Sequence, residues 1–304
     1  MAIGIGLGMA RFPFERVDSF WQWVALCEQG GVDSLWQTDR LISDEPFLEC
    51  ISTLAAIAGA TKRIKFGMNV ASAALRDPLV LAKQCATIDY LSDGRLLPAF
   101  GIGTESAPEW RATGIDTKGR GKRTDEALDI IAGLWRGDPV TLHGEYFRYT
   151  NAVIAPLPIQ QPLPMWIGGS SDAAIKRTAR VGTGWQAGLE TPERAGIVKR
   201  AIVEALKEFN RTIDDEHYGT GFFFRFGSKD DAICQRELTR FSKLAPGQDL
   251  SHTLAVGATQ IIERIHQYAD QGISKFILRP LGENDRDMLI QTQRLLDEVF
   301  AVES

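Results

Sequence analysis

The amino-acid sequence predicts an α/β protein, specifically a (β/α)8 TIM barrel. Short apolar runs alternate with longer amphipathic segments along the whole chain. Strict alternation of strands and helices implies parallel strands covered by helices on the outside. Eight such units occur in order, and eight can close into a barrel of the observed length, 304 residues, as one domain covering 1–304. An open doubly wound sheet is the alternative.

The first four units are delimited by residues that begin or end helices. The pairs Gly30-Gly31 and Asp93-Gly94 tolerate positive φ where the first and third helices stop. Asp77-Pro78 supplies an N-cap followed by a proline in the first helical turn. These signals predict strands at 3–8, 33–38, 64–70 and 96–101, and helices at 19–30, 47–60, 78–92 and 119–136.

The second half of the chain repeats the pattern. Thr191-Pro192-Glu193 gives an N-cap, a proline and a carboxylate near the positive end of a helix. Phe222, Phe224 and Phe226 alternate along the seventh strand and so share one face. The predicted strands are 165–168, 184–187, 220–226 and 274–279, and the predicted helices are 171–182, 192–210, 229–244, 258–271 and a last one at 284–302.

Segment 137–164 interrupts this alternation. It holds five prolines and an aromatic cluster, and it has no helical period. It is too long for an ordinary connection. We therefore predict an insertion between helix four and strand five, containing a small hairpin with Tyr146-Phe147 packed down and then an extended run. It acts either as a structural strap or as part of the site mouth.

Composition excludes several classes of function. The net charge is −5 and no basic stripe is visible, which argues against nucleic-acid binding. No apolar stretch reaches the ~18 residues of a membrane span, and no basic leader segment precedes the first strand. The cysteines are far apart and the histidines isolated, so we expect reduced thiols, no metal site and a cytoplasmic protein.

The end of strand five resembles a phosphate-binding turn. Gly168 and Gly169 allow backbone N–H groups to face one point, and Ser170 or Ser171 can donate from a hydroxyl. The helix that follows adds partial positive charge. Arg177 is a further candidate, although a solvated helix face is the more common use of such an arginine. A tight turn with a serine N-cap is the structural alternative.

Other strand ends carry residues suited to a ligand. Asp39-Arg40 after strand two can bind a polar ring edge or an anion, or form an exposed ion pair. The small residues of 69–74 after strand three leave room for a flat ring system, or pack against each other. Gly101 and Gly103 after strand four permit close approach of a ligand, or a bulge. Arg279, at the end of strand eight, is a further candidate anion partner.

These segments together resemble the bacterial-luciferase-like superfamily of flavin- and deazaflavin-dependent barrel oxidoreductases. The resemblance extends over residues 3–300 as an ordered series and is carried by GGVDSLWQTDRL, TLAAIAGATKRIKFGMNV, RDPLVLAKQCATIDYLSDGRLLPAFGIG, TLHGEYF, PLPIQQPLPMWIGGSS and ARVGTGW. It implies a cofactor phosphate at the GGS turn and a non-prolyl cis peptide near Asn69-Val70. The implied cofactor contacts are Asp39, Asn69, Val70, Ala71, Gly101, Gly103, Thr104, Gly168, Gly169 and Ser170.

The chain departs from the family pattern after strand two. Many deazaflavin-dependent dehydrogenases have Asp-His there, and the histidine takes part in proton transfer, whereas this chain has Asp39-Arg40. Arginine stays protonated and is a poor general base. Glu105 lies close to where some relatives carry a catalytic acid, about one residue out of register. The candidate catalytic residues are therefore Asp39, Arg40 and Glu105.

The resemblance implies an oxidoreductase that uses reduced FMN for monooxygenation of a small organic substrate, or coenzyme F420 for hydride transfer. A separate flavin reductase is a candidate partner in the first case. The uncharged faces of helices 47–60 and 78–92 predict a homodimer. Two alternatives stay open: a cofactor-free sugar- or phosphate-metabolising barrel enzyme using Asp39 and Glu105 as acid and base, and a non-catalytic flavin-binding relative.

Overall fold

The computed structural model describes residues 3–9, 11–244, 247 and 249–303. Within them the strands are β1 (Gly4–Met9), β2 (Ser34–Gln37), β3 (Lys65–Met68), β4 (Ala71–Ser72), β5 (Leu96–Leu97), β6 (Ala99–Gly101), β7 (Val140–His143), β8 (Arg148–Ala152), β9 (Trp166–Gly168), β10 (Gly184–Gln186), β11 (Tyr218–Arg225), β12 (Leu254–Val256) and β13 (Lys275–Pro280).

The helices alternate with these strands. They are α1 (Val17–Gln29), α2 (Cys50–Ala60), α3 (Pro78–Leu91), α4 (Pro108–Thr113), α5 (Arg120–Arg136), α6 (Asp172–Val181), α7 (Pro192–Glu208), α8 (Ala232–Leu244), α9 (Gly257–Ala269), α10 (Asp285–Leu295) and α11 (Ala301–Glu303). A π-helical turn, Leu296–Phe300, joins the last two.

The strands form one curled sheet in which every ladder is parallel. β1 pairs with β2 and with β13, and β2 pairs with β3. β3 then pairs with β5, and β4 pairs with β6. From β6 the pairings continue through β9, β10 and β11 to β13. The predicted α/β class with a parallel, helix-covered sheet is therefore confirmed.

The segment 140–152 forms a separate antiparallel hairpin, β7–β8. The Glu126 carboxylate on α5 accepts hydrogen bonds from the backbone N–H groups of Glu145, Tyr146 and Phe147. Phe147 is buried. The later part of the segment is bound to α3, where Asp89 accepts from the N–H groups of Ile159 and Gln160. These contacts with helices favour the strap interpretation over a role at the site mouth.

Several boundaries differ from the sequence-based predictions. Helix α2 begins at Cys50, not at residue 47, because the Glu49 side chain caps it by accepting from the Ser52 N–H. Strands three and four are each interrupted, at 69–70 and at Pro98. The short helix α4 and the strand β12 were not predicted. β12 is three residues long and forms because β11 extends to Arg225 and offers it a pairing edge.

The inside of the curled sheet is filled by a small apolar cluster. Its members are Trp36, Leu97, Ala99, Trp166 and Ile277, with Val70 packed against them. The rings of Trp36 and Trp166 meet edge to face, with their centroids 6.0 Å apart. This cluster closes the interior below the carboxyl ends of the strands, so a ligand at those ends would have an apolar floor.

Candidate functional site

A non-prolyl cis peptide bond joins Asn69 to Val70, between β3 and β4. The cis bond expected from the family resemblance is therefore confirmed. Val70 projects against the next two strands. A Cβ atom at Gly101 would lie 2.8 Å from Val70 Cγ2, and one at Gly168 would lie 3.1 Å from the same atom. A side chain at Gly101 would force Val70 to shift, and one at Gly168 would crowd it, so glycine lets both strand ends approach Val70 this closely.

The turn after β9 leaves the amino end of α6 open for an anion. Gly169 has φ of +109°, which L-residues with side chains rarely adopt. Its carbonyl accepts from Trp185 Nε1 at 2.7 Å, which fixes the turn. The Ser171 side chain caps the helix by accepting from the Ala174 N–H. The backbone N–H groups of the first helical turn have no intrahelical acceptors, so this end of α6 fits a phosphate.

Two neighbouring side chains differ in their availability to such a phosphate. The Ser170 hydroxyl forms no hydrogen bond with any residue that the structure describes. Arg177 is only 5% exposed, and its guanidinium is bound by Asp125 on α5, at 2.7 Å from Nε. The suggestion that Arg177 assists phosphate binding is therefore wrong, and so is the solvated-face alternative. Its partner lies 52 positions away in the chain, and no local sequence pattern indicates this pairing.

Asp39 holds the segment that follows the cis bond. Its carboxylate is 3% exposed and accepts two hydrogen bonds from the Arg76 guanidinium, both at 2.7 Å. It also accepts from the Ser72 N–H at 3.1 Å. Burial alone would lower the pKa of Arg76, but its bonds to Asp39 and Glu49 outweigh that effect and raise the pKa above its ordinary value. Asp39 is thus engaged in positioning β4.

Arg40 extends from the end of strand two to a buried carboxylate, Glu109 on α4. Arg40 Nη1 lies 3.4 Å from Glu109 Oε1, and the Glu109 side chain is 5% exposed. The other oxygen, Oε2, is buried and has no hydrogen-bond partner among the described residues. Sequence reasoning missed Glu109. The sequence signal for Glu109 is weak: it is a glutamate directly after Pro108, four residues after Glu105.

Glu105 is placed differently. Its side chain is 72% exposed and pairs with Arg120 at 3.1 Å. Asp39 and Glu105 therefore bind different arginines, and the structure does not join them as an acid–base pair. The neighbouring backbone is well fixed, because the Thr104 carbonyl accepts from Trp110 Nε1 at 2.8 Å. The catalytic roles of Asp39, Arg40 and Glu105 remain predictions. The buried, unpartnered oxygen of Glu109 makes that residue a further candidate.

Gly103 completes the wall on the strand-four side. It has φ of +69°, and a Cβ atom there would lie 2.9 Å from Ser72 Oγ and 3.0 Å from the Trp110 ring. Ala71 is fully buried at the start of β4. The predicted cofactor contacts 69–71, 101–104 and 168–170 therefore lie on adjoining strand ends, since β4, β6 and β9 are paired neighbours.

The rest of the described chain offers few competing sites. No group of three or more His, Cys, Asp and Glu side chains is arranged to hold a metal ion among the residues that the structure describes. In the same part of the chain, no helix has both the length and the apolar character needed to cross a bilayer.

Comparison with known proteins gives a family match over residues 5–271, to the model described as luciferase-like monooxygenase. An uncharacterized protein of Mycobacterium tuberculosis is 35% identical over 174 residues, which is 57% of this chain and 59% of that protein. The alignment thus spans less than two thirds of that relative. An F420-dependent glucose-6-phosphate dehydrogenase of Kineococcus radiotolerans is 24% identical, with 87% of each chain covered.

Solved structures of similar fold include an F420-dependent secondary alcohol dehydrogenase in complex with an F420–acetone adduct. It covers 99% of both chains with a TM-score of 0.83 at 20% identity. The oxygenating constituent of 3,6-diketocamphane monooxygenase from Pseudomonas putida, a type II Baeyer–Villiger monooxygenase in complex with FMN, has a TM-score of 0.78 at 14% identity and the same coverage.

Proposed function

Because this chain belongs to the luciferase-like monooxygenase family, we propose that it is an oxidoreductase that uses coenzyme F420 or FMN to transform a small organic substrate. Similar proteins are F420-dependent dehydrogenases and FMN-complexed monooxygenases, so either cofactor fits. The observation that carries the proposal is the set of strand ends around the cis-linked Val70, which approach its side chain closely because Gly101 and Gly168 have no Cβ atoms.

Each part of this set has a distinct task in binding the cofactor. The N–H groups at the start of α6, with the Ser170 hydroxyl, would hold its phosphate. Asn69-Val70, Ala71 and the turn 101–104 would hold its ring system. Asn69 Nδ2 is buried without a hydrogen-bond acceptor among the described residues, so it is free to donate to a ring carbonyl. When bound, the cofactor supplies hydride transfer or, with oxygen, monooxygenation.

The environment of Glu109 favours coenzyme F420 over FMN as the cofactor. Hydride exchange at an alcohol or carbonyl carbon requires a proton to move at the attached oxygen, and a positioned carboxyl group can supply or take it. Glu109 has one oxygen on Arg40 and a second that is buried and unpartnered. Arg40 stays charged, so its task is to hold Glu109 rather than to move a proton. We therefore assign the acid–base step to Glu109.

Monooxygenation with FMN is the second candidate. The similarity in fold to an FMN-complexed monooxygenase supports it, and the phosphate site at α6 serves either cofactor. In that case reduced FMN must reach the site, and a separate flavin reductase would be the partner that provides it. The buried carboxyl of Glu109 has no necessary task in that reaction.

We also infer that the curled sheet is a (β/α)8 barrel. When β3 with β4, and β5 with β6, are counted as the two halves of interrupted strands, eight strands remain besides β12, which pairs only with β11, and the pairings of the eight return to β1. The segment 137–164 is then an insertion between α5, the fourth barrel helix, and β9, the fifth strand. A barrel places all the residues discussed above at one face, where such enzymes carry their sites.

Two parallel assays test the proposed function. In the first, oxidised coenzyme F420 and a panel of secondary alcohols are supplied, and loss of the coenzyme's visible absorbance is followed. In the second, reduced FMN is supplied with aldehydes and ketones, and substrate-dependent oxygen uptake is followed. We expect turnover in the first. Turnover in the second assay alone would identify FMN as the cofactor. Absence of cofactor-dependent turnover in both assays would refute the proposed function.

A further inference from the structure

Arg279 on β13 points into the interior of the curled sheet, near its carboxyl edge. Ile277, two residues earlier on the same face, belongs to the interior cluster. The Arg279 side chain crosses the inward glycines of both flanking strands. A Cβ atom at Gly8 of β1 would lie 3.4 Å from Arg279 Cγ, and one at Gly221 of β11 would lie 3.1 Å from Nη1. The missing side chains leave room for the guanidinium.

No carboxylate among the described residues lies within ion-pair distance of Arg279, and none of their acceptors is hydrogen-bonded to it. Its cationic carbon is 5.4 Å from the centre of the Phe223 ring. Desolvation and, to a smaller extent, the nearby Arg240 charge lower the pKa of Arg279 to about 10, so the group is still protonated at neutral pH. The nearby Glu237 carboxylate opposes this effect but is itself bound by Arg240 at 2.8 Å. A half-buried cation without a paired carboxylate is suited to bind an anion.

Gln186 on β10 presents an unsatisfied acceptor beside this cation. It is 2% exposed, and its Oε1 atom has no donor within the described part of the chain. That oxygen lies over Gly219, the inward glycine two residues before Gly221 on β11. Two residues along a strand separate the two glycines by roughly 6.6 Å. A cation without an anion and an acceptor without a donor therefore face the same interior, on either side of β11.

We propose that Arg279 and Gln186 form a substrate subsite for a hydroxylated acid. Arg279 binds the oxyanion, a carboxylate or a phosphate, while Gln186 Oε1 accepts from a hydroxyl group on the same molecule. Phe223 provides the apolar wall on which Arg279 rests. The assignment of this ligand as the substrate depends on the proposed function, because it takes the carboxyl edge of the sheet to be the reaction site.

Isothermal titration of the purified protein tests the subsite. The probes are 3-hydroxybutyrate and glycerol 3-phosphate, with butyrate and the uncharged 1,3-butanediol for comparison. We expect the wild type to bind at least one hydroxylated anion and to bind the diol far more weakly. Arg279→Gln should weaken anion binding roughly 10- to 100-fold, the usual loss for a hydrogen bond to a charged group. Arg279→Lys should retain part of it.

Two further variants make the result specific. Gln186→Met should weaken binding of 3-hydroxybutyrate and leave butyrate unchanged. Arg294→Gln is the matched control, since Arg294 also stacks on a phenylalanine next to β11, Phe226, but pairs with Glu298 on the outer helix. It should bind the anions like the wild type. The tighter of the two hydroxylated anions identifies the oxyanion.

The outcomes separate this inference from the proposed function. Unchanged anion affinity in Arg279→Gln, or no anion binding by the wild type, would overturn the subsite while cofactor binding, measured with the same samples, could stand. Failure of the wild type to bind either cofactor would overturn the proposed function, and the dependence of anion binding on Arg279 would still be decided.

Discussion

Two buried carboxylates, Asp39 after β2 and Glu109 on α4, differ in how many of their oxygens accept hydrogen bonds. Asp39 accepts from Arg76 and from the Ser72 backbone, so both of its oxygens are engaged. Glu109 is equally buried, yet its Oε2 atom has no partner among the described residues. A fully engaged carboxylate fixes geometry, whereas a half-engaged one is available to a substrate. Proton transfer is therefore expected at Glu109.

Replacement of Glu109 by glutamine tests this difference. Glutamine keeps the shape of the side chain and cannot carry out acid–base catalysis. We expect turnover to fall by roughly 100-fold or more, the usual contribution of a general acid–base group, while the cofactor dissociation constant stays unchanged. Glu105→Gln is the control and should be nearly silent, because Glu105 is exposed. Full activity in Glu109→Gln would contradict the assignment.

At the scale of elements, the site depends on where strands end and helices begin. Chain order and turn residues predict these junctions well: the glycines before α6 and the proline of α3 lie where the sequence placed them. Contacts between helices were not predictable in the same way. The ion pair of Arg177 with Asp125 joins α6 to α5, and the ion pair of Glu109 with Arg40 joins α4 to the segment after β2. Neither contact has a local signature.

The start of α6 gives a prediction about the cofactor phosphate. Ser170→Ala removes a free hydroxyl without touching the helix cap, which Ser171 supplies. We expect the affinity for FMN to fall roughly 10-fold, since one hydrogen bond to a charged group is lost. The affinity for riboflavin, which has the same ring and no phosphate, should not change. An equal loss for both ligands would place Ser170 near the ring instead.

The ion pair between Arg225, at the end of β11, and Asp287, in the first turn of α10, makes the stability of the fold depend on pH. Arg225 donates to Asp287 at 2.8 Å and to the Leu281 carbonyl at 2.7 Å. Burial alone would raise the pKa of Asp287, but its bonds to Arg225 and to the Glu283 N–H outweigh this, so the pKa lies below its ordinary value of 3.8. A lowered pKa stabilises the fold above pH 3.8, and this contribution is lost as the pH falls through the folded-state pKa.

Urea unfolding between roughly pH 5 and pH 2 measures that loss. We expect the free energy of unfolding to fall over this range, and to fall less steeply in Asp287→Asn, which has no carboxyl group to protonate at that position. Asp18→Asn, at an exposed position on α1, is the control and should keep the wild-type slope. An Asp287→Asn variant with an unchanged slope would show that the Arg225–Asp287 ion pair does not contribute to the pH dependence of stability.

For the whole molecule, the alternation of apolar and amphipathic segments was enough to predict the parallel sheet and the order of its strands. The cis bond at Asn69-Val70 came from the family resemblance, since no residue type there requires it. β12 and α4 were not predicted, because segments of three and six residues, respectively, are too short to show a hydrophobic period. Fold was thus more predictable than the polar contacts inside the sheet.

The outer face of α2 and α3 leads us to propose a homodimer. Its exposed side chains on α2 are small and uncharged, and Val80 and Leu91 on α3 are 53% and 70% exposed. Analytical ultracentrifugation should show a dimer. Ala56→Arg, a charge placed in the middle of this face, should give a folded monomer. Ile197→Arg on α7, which is also exposed, should leave the dimer intact. A monomeric wild type would refute the proposal.

The central claim is that the carboxyl ends of β4, β6 and β9 bind a phosphate-bearing flavin or deazaflavin. The most direct test is a titration of the purified protein with coenzyme F420 and, separately, with reduced FMN, following tryptophan fluorescence. We predict saturable micromolar binding of at least one cofactor, with coenzyme F420 preferred. Absence of saturable binding by both would contradict the claim.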